Sequence, residues 1–183
     1  TRTQSARTEN RFRSGGTGPE SNLRATPNPH LTPMLDTFRP LLEAAEGVDL
    51  ADPAAARATL SERLEPTSDE GRRLSEARGQ LLEEGKVADR GAPPLRFGRA
   101  AKATEETLGF SIDVVDMQGE GPLHRHPNGE VNWCVALEGE PRFQDQPPGW
   151  VVEPPGSQHV PTVTGGRMLI VYLLPEGAIE FVG

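Results

Sequence analysis

The sequence predicts an all-β barrel, a small antiparallel jelly roll, with an α-helical layer on its N-terminal side. Three observations predict it. From about Leu95 the chain breaks into short β-type segments separated by Gly/Pro turns, as in small antiparallel barrels. Before that, residues 31–90 carry apolar side chains at helical spacing. Finally, three of the four histidines fall in two short stretches of the β part, Gly121–Glu130 and Pro154–His159.

Taken in order, residues 1–30 hold five arginines, two glutamates and many Ser, Thr, Gly, Asn and Pro, without the periodicity needed to bury a face. A disordered tail is expected there. Thr32-Pro33 is a helix-start signal, followed by Leu35, Phe38, Leu41, Leu42 and Ala45 on one face, and Gly47 is a stop. Pro40, inside this run, is expected to kink it or begin a second helix. Asp52-Pro53 opens the next helix, with Ala56, Leu60 and Leu64 on its apolar face. Thr67 with Glu70 reads as a capping box opening a third, which carries Leu74, Ala77, Leu81 and Leu82 and ends near Gly85. This region, 31–90, is expected to form an accessory layer on the barrel, on itself or on a second subunit.

The barrel is expected over residues 91–183. Leu108–Val115 is rich in β-branched residues, and Glu130–Leu137 alternates, with Glu130, Asn132, Cys134 and Ala136 on one face. Val131, Trp133, Val135 and Leu137 take the other. Gly149–Glu153 and Arg167–Leu174 are further strands, and Ala178–Val182 closes an edge.

Composition narrows the function. A formal charge of −8 argues against nonspecific binding to nucleic acid or an anionic membrane. With a single cysteine, Cys134, no intrachain disulfide forms, which fits a reducing cytoplasm. No apolar run reaches the length of a membrane span, and no secretory h-region is visible. Eighteen prolines in 183 residues double the usual share and fit a turn-rich architecture.

The two histidine stretches carry the chemistry. His124 and His126 are two apart, so on a strand both imidazoles face one way. Glu130 follows a Pro-Asn-Gly turn signal, Asn132 shares its parity, and one more strand and turn brings His159 back. Three imidazoles and a carboxylate suit a first-row divalent ion: zinc, iron, manganese, cobalt or nickel. Taken singly, each of these residues is commonly a surface or core side chain, but together they concentrate the histidines at one point.

These same residues resemble the two motifs of the cupin superfamily. HxH, three residues and then Glu is the first, and Pro-Pro-Gly, two residues and then His is the second. Carried over, the resemblance implies His124, His126, Glu130 and His159 as metal ligands. Gln118 stands where the superfamily usually has glycine, Val163 where asparagine often ends the second motif, and Glu130 to Gly139 is two residues longer than usual. Counting back from Gly139 puts Asn132 in the glutamate's place, so Glu130 or Asn132 completes the set.

A narrower resemblance covers roughly residues 95–182. Leu95–Gly98, Gly109–Val115, His124-Arg-His-Pro-Asn-Gly-Glu130, Pro155–His159, Pro161–Gly166 and Tyr172–Phe181 are similar to the hydroxylaminobenzoate lyase family. That resemblance implies conversion of 4-hydroxylaminobenzoate to 3,4-dihydroxybenzoate with release of ammonia. The N–O bond carries the oxidising equivalent, so no flavin or nicotinamide is needed, and no dinucleotide fingerprint is visible. Such chemistry needs a divalent metal to polarise oxygen and a carboxylate to move protons. Glu130 is the first candidate for the carboxylate and Asp113, in an otherwise apolar strand, the second. Tyr172 is a candidate donor to a leaving oxygen if its strand face is inward. A guanidinium suits the carboxylate of a small aromatic substrate, and Arg96, Arg99, Arg142 and Arg167 are candidates. Arg125 has the wrong parity. Cupins commonly dimerise, and Trp133 on the face away from the ligands is compatible with a homodimer. Two other readings of the same ligands are an oxygen-using cupin dioxygenase and a non-catalytic metal or ligand sensor. A DNA-binding sensor is weakly supported, because Arg72, Arg73 and Arg78 of the third helix are mixed with four glutamates.

Overall fold

A computed structural model describes residues 32–183; the expected N-terminal tail lies outside them. Three helices come first, α1 (Thr32–Ala45), α2 (Pro53–Arg63) and α3 (Asp69–Glu83). The strands are β1 (Arg90–Ala92), β2 (Leu95–Ala101), β3 (Phe110–Glu120), β4 (His124–His126) and β5 (Glu130–Phe143). They continue as β6 (Gly149–Glu153), β7 (Ser157–His159), β8 (Thr162–Pro175) and β9 (Glu180–Phe181). All pairings are antiparallel, in a six-stranded sheet ordered β1-β2-β3-β8-β5-β6 and a three-stranded sheet ordered β7-β4-β9. The second sheet lies across the first as in a jelly roll.

Strand parity divides the large sheet into two apolar faces. Met117, Cys134, Met168, Ile170, Tyr172 and Leu174 point into the barrel and form one buried cluster. Ile112, Val114, Val131, Trp133, Leu169 and Val171 point the other way and merge with Phe38, Leu41, Leu60 and Leu82 of the helices. The helical layer therefore covers the outer face of the sheet, which explains why β8 reads as a continuous apolar run from Met168 to Leu174.

The helices differ from expectation in two details. Helix α1 runs through Pro40, so of the two expected alternatives no second helix starts there. Its buried face, with Phe38 and Leu41 both fully enclosed, supplies packing that offsets the missing backbone donor. Helix α3 is capped by Ser68, whose Oγ accepts from Gly71 N at 3.0 Å, while Thr67 turns its hydroxyl to Glu65. The cap thus lies one residue beyond the capping-box position, and Glu70 is out of reach of the reciprocal bond.

Trp133 is fully buried beneath α3, donates from Nε1 to Ser75 Oγ at 3.2 Å, and meets Trp150 edge-to-face at 4.8 Å. The chain's own helix covers it, so it offers no surface to a second subunit. Arg78 of α3 is likewise enclosed, with its guanidinium 4.8 Å above the Phe38 ring. Burial lowers its pKa to about 10. One of the three arginines that a DNA-reading helix would use thus faces the protein interior. Among the described residues no helix is long and apolar enough to cross a membrane.

An outward-facing ion cluster pins β2, β3 and β8 together. Asp116 accepts from Arg96 Nε and Nη2 (3.0 and 2.7 Å) and from Arg167 Nε and Nη2 (2.7 and 2.9 Å). Burial pushes the Asp116 carboxyl up, but the hydrogen bonds and charges of the two guanidinium groups outweigh it and lower the pKa below the usual carboxylate value. A depressed folded-state pKa contributes stability above the unfolded value, about 3.9, which is lost as pH falls through the folded one. Asp116→Asn should therefore destabilise the protein at pH 7 by about 1–3 kcal/mol, less than a fully buried pair because both arginines are partly solvated. Urea unfolding should show the gap between wild type and variant narrowing towards pH 3. A pH-independent gap would mean that the ion cluster is not its source.

Candidate metal centre

Local turns bring the histidine stretches together. After His126 the chain turns at Gly129, whose φ of +82° and closeness to Glu153 O, 2.9 Å from where a Cβ would lie, exclude a side chain. That turn starts β5 at Glu130. Gly156 N donates to His126 O at 2.7 Å, setting β7 beside β4 with His124 opposite His159.

His124, His126, Glu130 and His159 each bring one donor atom into a group within 4.8 Å of one another. His124 Nε2 and His126 Nε2 stand 3.0 and 3.1 Å from His159 Nε2, and Glu130 Oε2 is 2.7 Å from His126 Nε2. Glu130, His126 and Asn132 have no solvent exposure, and His124 is nearly as deep. Asn132 donates from Nδ2 to Glu130 Oε1, which turns the carboxylate's other oxygen toward the histidines.

Tautomers sharpen the picture. His124 Nδ1 lies 3.0 Å from Pro122 O. A carbonyl only accepts, so Nδ1 carries the hydrogen and Nε2 presents its lone pair to the cluster. Burial, then repulsion from the other two imidazoles, lowers the His124 pKa to about 4, so the ring is neutral at pH 7. For His159, burial opposes charge, but Glu153 and the negative charge of Glu130 outweigh it and raise the pKa. Its Nδ1 has Gln144 Nε2 at 3.0 Å and Glu153 Oε1 at 3.5 Å.

The donor set fits a divalent ion. Donors about 2.1 Å from one ion stand roughly 3.0–3.4 Å apart, as the His124–His159 and His126–His159 nitrogens do. Glu130 Oε2 and Asn132 Oδ1 are buried acceptors without a hydrogen-bond partner among the described residues. The Glu130 Oε2–His126 Nε2 approach is close but lacks hydrogen-bond alignment. The His124 lone pair and an orphaned carboxylate oxygen in a dry site are unfavourable alone and favourable around a cation.

A cavity of about 350 Å³ adjoins the cluster through His124 and Tyr172. Its walls are mainly apolar, including Leu95, Phe97, Val115, Leu174, Ile179 and Phe181. Arg99, Asp113, Tyr172 and Asn132 are successive cross-strand partners over β2, β3, β8 and β5, so they form one polar row on the inner face. Burial, then the Glu130 charge, pushes the Tyr172 pKa well above its ordinary value, keeping the phenol a hydrogen-bond donor. Asp113 accepts from Arg99 Nε and Nη2 (2.8 and 3.1 Å) and from Ser111 Oγ (2.8 Å).

The four arginine candidates separate. Arg99 lines the cavity but is paired with Asp113. Arg96 and Arg167 have the outward parity and are held on Asp116. Arg142 donates to Asp145 O, away from the cavity. Arg125 pairs with Glu180. Gln144, Glu153 and Arg90 were not evident from sequence. Gln144 and Glu153 reach His159 only through tertiary pairing, and Arg90 belongs to a three-residue strand, Arg-Gly-Ala, without any β-type pattern.

A jelly roll whose inner face gathers three imidazoles and a glutamate beside an apolar cavity defines a cupin with a candidate metal site. Over residues 40–181 the chain matches the family model described as 4-hydroxylaminobenzoate lyase. It belongs to that family. Two curated relatives carry the same description. One, from Nocardioides sp. (strain LMS-CY), is 34% identical over 97 residues, covering 49% of this chain and 57% of the relative. The other, from Pseudomonas putida, is 31% identical over 105 residues, covering 49% and 60%. The chain thus spans less than two thirds of the length of these relatives. Among solved structures, an RmlC-like cupin protein from Ralstonia eutropha JMP134 aligns with a TM-score of 0.39 at 16% identity, covering 50% of this chain and 62% of that one. A cupin-like protein from Thermotoga maritima aligns at 0.30 and 13%, covering 51% and 84%.

Proposed function

We propose that this protein is a metal-dependent, redox-neutral lyase that converts 4-hydroxylaminobenzoate, or a similar arylhydroxylamine, to the 3,4-dihydroxy product with release of ammonia. The observation that carries the reading is the four-donor cluster opening onto an aromatic-sized apolar cavity in a member of this family. The reaction balances with one water consumed and one ammonia released. The N–O bond, the ring C–N bond and one ring C–H bond break, two ring C–O bonds form, and no external oxidant enters.

In this reading His124, His126, His159 and Glu130 hold the ion. When bound, a divalent metal supplies Lewis acidity that polarises oxygen. The chain's own residues do the rest. The apolar walls seat the ring and exclude water. Tyr172, kept protonated by its surroundings, donates a hydrogen bond toward a departing oxygen. Asn132 holds the Glu130 carboxylate in place. Asp113, next to Tyr172 across β3 and β8, is an acceptor on the same inner face.

The test is anaerobic incubation of metal-replete protein with 4-hydroxylaminobenzoate, following ammonia and the catechol. Both should appear without dioxygen, and labelled water should put its oxygen into the ring. Product formed only with dioxygen present would replace this reading with a dioxygenase. No turnover of any hydroxylaminobenzoate isomer would favour a sensor.

A further inference from the structure

We infer that Arg90 is the cation that receives the carboxylate of an aromatic acid bound in the cavity. The inference rests on the proposed substrate class and adds the residue that selects for it. An apolar cavity of this kind holds a benzoate poorly unless a fixed cation meets its charge. Arg99 and Arg90 are the two arginines in its wall. The Arg99 fork is already filled on both arms by the Asp113 carboxylate. The Arg90 guanidinium forms no ion pair or hydrogen bond with any other described residue, whereas those of Arg96, Arg125, Arg142 and Arg167 all have partners.

Its placement suits the task. Arg90 is the direct cross-strand partner of Phe97, and both side chains line the cavity. A ring packed against Phe97 would bring its acidic substituent to the guanidinium fork. Arg90 lies on the edge strand of the large sheet, whereas His124, also in the cavity wall, lies on the small sheet. β1 is three strands from β8, which carries Tyr172, roughly 14 Å along the sheet before curvature.

Binding isolates this role from catalysis. The probes are 4-hydroxybenzoate and its uncharged amide, 4-hydroxybenzamide, titrated calorimetrically into full-length, metal-replete protein. Wild type should prefer the acid by roughly ten- to a hundredfold, the range for a charge-assisted hydrogen-bonded pair. Arg90→Gln should abolish the preference by weakening acid binding, and Arg142→Gln should keep it. Because Arg90 is exposed on an edge strand, the wild-type preference should also shrink as salt is raised. That measurement needs no variant. A preference that survives Arg90→Gln, is absent from wild type or ignores salt overturns the inference. Turnover is independent of this outcome: an Arg90-dependent preference without lyase activity sinks the proposed reaction alone, and lyase activity without such a preference sinks Arg90 alone.

Discussion

His126→Ala should remove the thermal protection expected from a divalent ion bound at the candidate site. His126 is fully enclosed and touches both His159 Nε2 and Glu130 Oε2, so it stands at the centre of the donor group. An ion held only by the folded state stabilises it by about 2.7 kcal/mol at a hundred times its dissociation constant. For a chain of this size that is a rise in melting temperature of roughly 5–10 °C. Wild type should show the rise with its preferred metal, and His126→Ala should show almost none, with elemental analysis confirming lost stoichiometry. Acid should act in the same direction. The raised pKa of His159 means that a proton competes with the ion there, so protection should weaken as pH falls through that raised value. His124, with a pKa of about 4, should contribute to this competition only in stronger acid. Full metal content in His126→Ala would end the assignment of the site.

Glu130→Gln should leave the fold intact and lower turnover of 4-hydroxylaminobenzoate by roughly 10²- to 10⁴-fold, the usual span for an acid–base group. The substitution keeps the shape of a side chain with no solvent exposure and removes its charge. That charge is felt through the barrel: after burial, it is the next cause raising both Cys134 and Tyr172. Metal content should be measured on the same sample. Lost metal together with lost turnover makes Glu130 chiefly a donor to the ion; retained metal with lost turnover makes it chiefly a carrier of protons. Turnover within about threefold of wild type at full metal content would rule out both roles, being far outside the expected loss.

Much of the site was legible because its residues are local or periodic. His124 and His126 share a face through the period-two geometry of a strand, and the Pro-Asn-Gly turn that delivers Glu130 needs Gly129 for its positive φ. Gly149–Glu153 was readable to the residue, since prolines stop it on both sides. Less legible were the longer strands. β3 and β5 extend past their apolar cores to Glu120 and Phe143, because pairing with β8 continues through bulges that no alternation pattern announces. The step from Thr67 to Ser68 at the α3 cap was also invisible, since adjacent hydroxyl residues have nearly equal capping propensity.

By itself, the sequence determined the class of the fold, the parity of the histidine strand and a short set of candidate donors, because these depend on residue type and on spacings of a few positions. Only the tertiary structure decided which arginines line the cavity, that Tyr172 points inward, that Trp133 lies beneath α3, and that Gln144 and Glu153 reach His159. Each of these follows from a pairing between residues distant in the chain. The partners of a guanidinium or an indole are chosen by which strands and helices meet, and burial and charge at that meeting point have no local signature.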